Sequence, residues 1–411
     1  MTPTLGSRIA KSKQPLTAVE RDERRHLIFQ DVVALLALTA VSVAIGVLTY
    51  FFFNSFSQHR KVLEKRWFAR GERALATHNP QAAVDDFRSA LSLSTANPSY
   101  ELALAEALAQ ANRNAEAYTY FFSLHEARPG DGFLNLQLAR LAVKREEPAQ
   151  AIEYYQAALT GLWYGEGASQ RFQIRLELAH YLMSLGRNTE AQGDLLMAEG
   201  NSLDHPAELY QVGNLLEQAD DPSDALIAYR RIEGNPGATT ALLLNSLQAE
   251  ARVAVSMGQY RQAVTALNRY RAKARQNPSA GTAQQRQASQ QTLAQLQRLM
   301  QMIPFDSLPP RERARRVLRQ AGIAKKRYDG CSAKIQPQNV SASDATTLAT
   351  LATAWTQFGH VDARKLIGDT SLQQGLLAWV AQVEISTAKL CGPPTGDDAL
   401  LLQLARNPDK S

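Results

Sequence analysis

The stretches QAAVDDFRSAL (81–91), NAEAYTYFFSL (114–124) and PAQAIEYYQAAL (148–159) repeat one pattern at a fixed interval. Ala83, Ala117 and Ala151 are spaced by 34 and 34, and Phe87, Phe121 and Tyr155 each follow four residues later. TEAQGDLLMA (189–198), SDALIAYRRI (223–232) and RQAVTALNRY (261–270) continue the series, placing Ala191, Ala225 and Ala263 at spacings of 40, 34 and 38. Residues four apart share one face of a helix, so each unit carries a small residue and a large one side by side. A period of this length marks a repeat architecture. One unit cannot bury its apolar face alone, so the units must stack. Turn signals stand just before each second helix: His78-Asn79-Pro80, Asn112-Arg113-Asn114, Glu146-Glu147-Pro148, Gly186-Arg187-Asn188, Asp220-Asp221-Pro222 and Gly258-Gln259. The loop Gly161–Gly167 is the insertion before the fourth unit.

Upstream of the repeats, Val32 to Phe53 is a run of 22 residues without a charge. As a helix it would span about 33 Å, enough for the hydrocarbon core of a bilayer. Tyr50 and Phe51 to Phe53 lie at its end, where aromatic residues suit the interface. The alternative is a cleaved signal peptide, but its apolar core is usually only about 7–15 residues. Arg8, Lys11, Lys13, Arg21, Arg24 and Arg25 precede the run, and Arg60, Lys61, Lys65, Arg66 and Arg70 follow it, so the flanking charges hardly decide orientation. A short basic tail before one apolar segment is a signal-anchor layout. It predicts a single-pass membrane protein whose soluble part is extracytoplasmic, periplasmic in a bacterium.

The repeats resemble the tetratricopeptide repeat, a helix–turn–helix unit. Trp67, Gly71, Ala83, Phe87 and Ala90 match it in the first unit, and Leu104, Ala105, Ala117, Phe121 and Pro129 in the second. Leu138, Ala139, Ala151, Tyr155 and Ala158 match in the third, and Leu178, Ala179, Ala191 and Ala198 in the fourth, where Leu195 replaces the aromatic. Val212, Gly213, Ala225 and Tyr229 match in the fifth; the sixth is weaker, with Ala251, Ala263 and Leu267. The match covers 63–277, about half the chain. It implies a tetratricopeptide-like helical solenoid; with the apolar run before it and the helical stretches after it, the chain is expected to be all-α, with one N-terminal transmembrane helix and a small helical C-terminal subdomain. The expected layout is a basic tail (1–31), the span (32–53), six repeats (63–277), a glutamine-rich helix or linker (278–308) and a C-terminal subdomain (309–411).

The resemblance also implies a concave groove lined by first helices. Its register puts Glu72, Glu106, Arg140, His180, Asn214 and Arg252 in that groove, joined by Phe133 and Tyr210. Their order predicts a polar groove, acidic toward the span and more basic further on. The competing reading is that they are solvated helix positions. A protein or peptide partner is what such a groove takes.

Beyond the repeats, no acidic residue occurs between Glu250 and Asp306. The glutamine-rich tract holds Leu293, Leu296 and Leu299 at helical spacing. Next comes a helix with Ala314, Val317, Leu318 and Ala321 on one stripe. Arg311, Arg315, Arg316, Arg319, Lys325, Lys326 and Arg327 are read as a basic patch, for an anionic lipid or an acidic protein. Nucleic acid fits poorly, since aromatic interleaving is missing. Asp344 is expected to cap a helix closing at Gly359. Trp379 belongs on the apolar face of a helix over about 372–390. Cys331 and Cys391 bracket this region, as a disulfide or as two separate thiols.

Chemistry leaves little signature. The seven histidines are never within ten residues of one another, so no local metal motif exists. No nucleophile elbow, phosphate-cradling loop or dinucleotide fingerprint is present. No catalytic residue, cofactor or metal is expected, and the chain reads as a non-enzyme. Asn339-Val340-Ser341 is a formal glycosylation sequon. The leading expectation is a membrane-anchored scaffold that holds a peptide or protein, in cell-envelope assembly or the handling of secreted proteins. The alternatives are a self-associating organiser acting through the glutamine-rich helix or the groove, and an enzyme with scattered catalytic residues.

Overall fold

The computed structural model describes residues 18–94, 97–165, 167–335 and 341–410, with the side chains of 18–28 left aside. The first part of the basic tail and Asn339 and Val340 of the sequon therefore lie outside the described residues. The described residues form α-helices and no named strand. They divide into two compact units, Met1–Leu162 and Trp163–Ser411.

In the first unit α1 (Ala18–Ala76) pairs with α2 (Pro80–Leu93), α3 (Pro98–Gln110) with α4 (Asn114–Ala127), and α5 (Gly132–Lys144) with α6 (Pro148–Thr160). These pairs are hairpins one to three. The 59 residues of α1 carry the apolar run straight into the first helix of hairpin one. Residues 54–62 contain neither glycine nor proline, so nothing in them ends a helix. The segment from Phe29 onward reaches a mean hydropathy of 2.5 and buries none of its most apolar window, so it is long and apolar enough to cross a membrane.

The second unit opens with three more hairpins. Hairpin four is α7 (Gly167–Ser184) with α8 (Asn188–Asn201), hairpin five α9 (Pro206–Gln218) with α10 (Pro222–Glu233), and hairpin six α11 (Thr240–Ser256) with α12 (Tyr260–Gln276). Then follow α13 (Ala283–Met302), α14 (Pro310–Ser332), α15 (Ala342–Phe358), α16 (Ala363–Ile367), α17 (Thr370–Cys391) and α18 (Asp397–Arg406).

Each hairpin turns through one residue with left-handed backbone: His78, Asn112, Glu146, Gly186, Asp220 and Gly258. Each stands five residues before the repeat alanine. The following amide donates to a carbonyl five residues back, as in Asn79 N to Ala74 O at 2.9 Å and Gln259 N to Ala254 O at 2.7 Å. This closes the first helix in the manner of a Schellman motif. Proline at the first position of α2, α6 and α10 then restarts the chain as a helix.

All six repeat alanines are fully buried, and the side chains four residues on are at most 3% exposed. Glycine lets the aromatic rings in: a Cβ at Gly71 would lie 2.6 Å from Phe87, and one at Gly213 2.7 Å from Tyr229. Arginines bridge successive helices onto buried carboxylates, with Arg70 on Asp86 in the first unit and Arg230 and Arg269 on Glu250 in the second.

The glutamine-rich tract is α13, which a capping box of Thr282 and Gln285 begins. Its Leu293, Leu296, Leu299 and Met302 are buried, and it packs on α12. In the C-terminal lobe α14 packs on α17, and Cys331 and Cys391 form a disulfide with Cα atoms 5.8 Å apart. Trp379 is buried and donates to the Leu351 carbonyl at 3.0 Å. The cap of α15 is Ser341 rather than Asp344: its hydroxyl accepts from the Asp344 amide, and Asp344 sits three residues inside. Serine at that position reaches the open amide from one turn earlier, which Asp344 cannot do for the helix start it lies within.

Candidate binding surface on the first helices

In the first unit the expected groove residues sit on α1, α3 and α5. Glu72 and Arg140 are exposed, whereas Glu106 and Phe133 are half-buried. Burial pushes the Glu106 carboxyl above its ordinary value. An aromatic row lies on the second helices instead, with Tyr118 stacked on Phe122 at 5.7 Å and the Arg145 guanidinium 4.3 Å above Tyr118.

In the second unit Tyr210 and Asn214 on α9 and Arg252 on α11 do come together. Arg252 donates to both oxygens of Glu217, Nη2 to Oε1 at 2.7 Å and Nε to Oε2 at 3.2 Å. The Tyr229 hydroxyl from α10 lies 2.6 Å from the same Glu217 Oε1 and 2.7 Å from Asn214 Oδ1. One proton serves only one of these acceptors, so the amide of Asn214 turns to donate when Glu217 takes it. The Tyr210 ring rests 5.6 Å from the Tyr229 ring. Burial first, then Glu217, holds the Tyr229 phenol protonated far above its usual range. The hydrogen bond to Glu217 raises Arg252 further. The result is a guanidinium with a 60% exposed side chain, fixed by a partly buried carboxylate. A charged group so oriented loses little freedom when a ligand arrives.

Glu217 and Tyr229 were not among the expected site residues. Glu217 lies three residues after Asn214 and so on the same face of α9, a spacing that could have suggested it. Tyr229 fills the aromatic repeat position, and its hydroxyl gains a role only from the fold. His180 is exposed on α7.

The basic patch is largely consumed within the lobe. Arg316 donates to the carbonyls of Met300 and Ile303, both at 2.9 Å, and so closes the end of α13. Arg327 donates to the Gly392 carbonyl at 2.6 Å. Lys325 pairs with Asp329, and Arg319 lies 3.6 Å from Asp397. Helix ends and neighbouring carboxylates thus engage Arg316, Arg327 and Lys325. Arg311, Arg315 and Lys326 stay exposed. Among the described residues no group of three or more histidine, cysteine, aspartate or glutamate side chains could hold a metal ion.

Six hairpins share one register: a left-handed turn residue, an alanine five later and a large apolar residue four beyond it. The chain is a tetratricopeptide-like repeat protein. No protein-family model and no curated protein matches it. Solved structures do. A structure described as a functional characterization of Pseudomonas aeruginosa pilF is 14% identical, with a TM-score of 0.36, over 57% of this chain and 99% of that one. PilW, described as a widely conserved type IV pilus biogenesis factor, is 16% identical at a TM-score of 0.36, over 55% and 97%. YrrB, described as a TPR protein with an unusual peptide-binding site, is 19% identical at 0.31, over 44% and 89%.

Proposed function

We propose that the chain is a membrane-tethered, non-enzymatic scaffold that holds a peptide or protein partner against its first helices. The observation that carries this reading is the Arg252 guanidinium, exposed yet held by two hydrogen bonds to Glu217, on which the Tyr229 hydroxyl also converges. A fixed cation is suited to a peptide segment with an acidic side chain or a carboxylate terminus. Tethering is supported by the uncharged run inside one continuous helix, which leaves a signal peptidase no extended segment near Ser55–Ser57. An extracytoplasmic site of action is supported by the Cys331–Cys391 bond, since disulfides persist in oxidising compartments. Cell-envelope assembly or the handling of secreted proteins is the setting that suits both. Self-association through the glutamine-rich helix is disfavoured, because its leucines are buried against α12.

The test is crosslinking and pull-down from membranes, with wild type beside a chain carrying Arg252→Glu and Tyr210→Ala. The variant is expected to lose its main partner while remaining in the membrane fraction with unchanged helicity. An identical set of partners would remove this surface from the reading.

A further inference from the structure

The C-terminal lobe contains two acidic side chains that its packing leaves unanswered. Glu384 on α17 is fully buried, and neither carboxyl oxygen has a hydrogen-bond partner. Asp398, in the first turn of α18, has its Oδ1 buried and equally without a partner. The cation near them, Arg327 of α14, spends its hydrogen bonds elsewhere, on the Gly392 carbonyl and the Thr387 hydroxyl. A buried carboxylate without hydrogen bonds is costly, so such a group keeps its proton.

Several other charges on the surrounding helices are paired with one another. Asp397 of α18 faces Arg319 of α14, Asp344 of α15 pairs with Lys389 of α17, and Lys325 of α14 pairs with Asp329. On α16, Arg364 and Lys365 lie beside Asp362. Of all these groups, Asp398 raises the Glu384 carboxyl and Arg327 lowers it, while burial outweighs both and pushes it up to about 8. Burial also raises Asp398, against Arg327.

Asp398 belongs to the last helix, which packs on α17, and the tail follows it. The Asn407 carbonyl accepts from the Tyr260 hydroxyl at 2.6 Å, and the Lys410 amide donates to the Gly258 carbonyl at 3.0 Å. Gly258 is required here, because a Cβ at its left-handed backbone would collide with the Pro408 carbonyl. The tail thus seats on the turn of hairpin six. Beneath it a cleft of about 730 Å³ runs between α17, α18 and the 303–307 connection, walled by Val380, Leu401, Leu404 and Phe305.

We propose that α18 with residues 407–410 is a proton-dependent latch on hairpin six. It is closed while Glu384 holds its proton, and it opens the cleft when that proton is lost. The sign follows from linkage. With α18 undocked, Glu384 meets water and titrates near its ordinary value of 4.5. With α18 docked it keeps the proton to about pH 8. Between these values the closed state binds one proton more, so closure weakens about tenfold per pH unit and then levels off.

Hydrogen exchange on the full-length chain in detergent tests this. Protection of the 397–410 amides is expressed relative to an unstructured peptide at the same pH. Between pH 6 and pH 8 it is expected to fall by one to two orders of magnitude in wild type, with the α9–α10 amides unchanged. Glu384→Gln should remove the dependence. Asp398→Asn should lower the pH at which protection levels off, because it removes the charge that opposes ionisation of Glu384. Equal wild-type protection at both pH values overturns the latch. So does an undiminished fall in Glu384→Gln. If Glu384→Gln does not fold, Asp398→Asn decides: a plateau that stays in place overturns the proposal.

Discussion

The hairpins and the C-terminal lobe are both packed helices, but different physics holds them. In a hairpin every element of the design is local. A left-handed turn residue, a buried alanine and a large apolar side chain recur at one spacing, and buried carboxylates such as Glu250 receive two arginines. In the lobe the joints are distant in sequence. A disulfide closes 60 residues, Arg316 caps a helix from another element, and Glu384 is buried without a partner. Local, repeated joints make a region robust to the loss of any one. Distant, single joints leave the lobe dependent on each, and able to respond to protons or redox state.

The sharpest way to break that contrast is to open the disulfide. In the chain-entropy model a loop of this length is worth about 4 kcal/mol. Cys331→Ser with Cys391→Ser is therefore expected to lower the urea midpoint of the lobe strongly. The hairpins should unfold where they did before. With Trp67 and Trp163 replaced by Phe, the fluorescence of Trp355 and Trp379 follows the lobe, and far-ultraviolet dichroism follows the whole. A single transition shifted as one would show that the lobe is not the separate, weaker part.

A hairpin is expected to lose less. Gly213→Ala drives a methyl into the Tyr229 ring and should cost about 1–3 kcal/mol, as overpacked cores do. Gly193→Ala on α8 meets nothing within 4 Å and should instead stabilise by roughly 0.5–1 kcal/mol. Thermal melting of the two variants checks both signs at once. Equal effects would mean that the glycine pattern is not about ring clearance.

The smallest effect sharpens the role of the turns. Glu146 takes left-handed backbone at φ 60° without being glycine. Glu146→Gly is expected to stabilise the first unit, by about 1 kcal/mol at most, because the strain it relieves exceeds the freedom it adds to the unfolded chain. The same change at Gln81, inside α2, should destabilise by a similar amount. A destabilised Glu146→Gly, measured by chemical denaturation, would show that the glutamate side chain outweighs its backbone.

Much of the fold was legible because its signals are local. The alanine–aromatic spacing announced the hairpins, the proline and asparagine turns marked their joints, and the uncharged run marked the apolar helix. The helix continuing from that run into hairpin one was less plain, since residues 54–62 are polar and read equally well as a connector. The Arg252 cluster was legible only in part. Tyr210, Asn214 and Arg252 follow from register, but Glu217 and Tyr229 complete the cluster through contacts between three helices. Which arginines of the basic patch face water and which cap a neighbouring helix was not legible, because a run of arginines looks the same in sequence either way.

The repeat period and the apolar run therefore belong to the sequence alone. They depend on spacing along one chain, and a helix converts spacing directly into a face. The orientation of Arg252, the fate of the α14 arginines, the burial of Glu384 and the seating of the tail on Gly258 belong to the tertiary structure. Each depends on which helix lies opposite, and a neighbour far along the chain leaves no period behind to read.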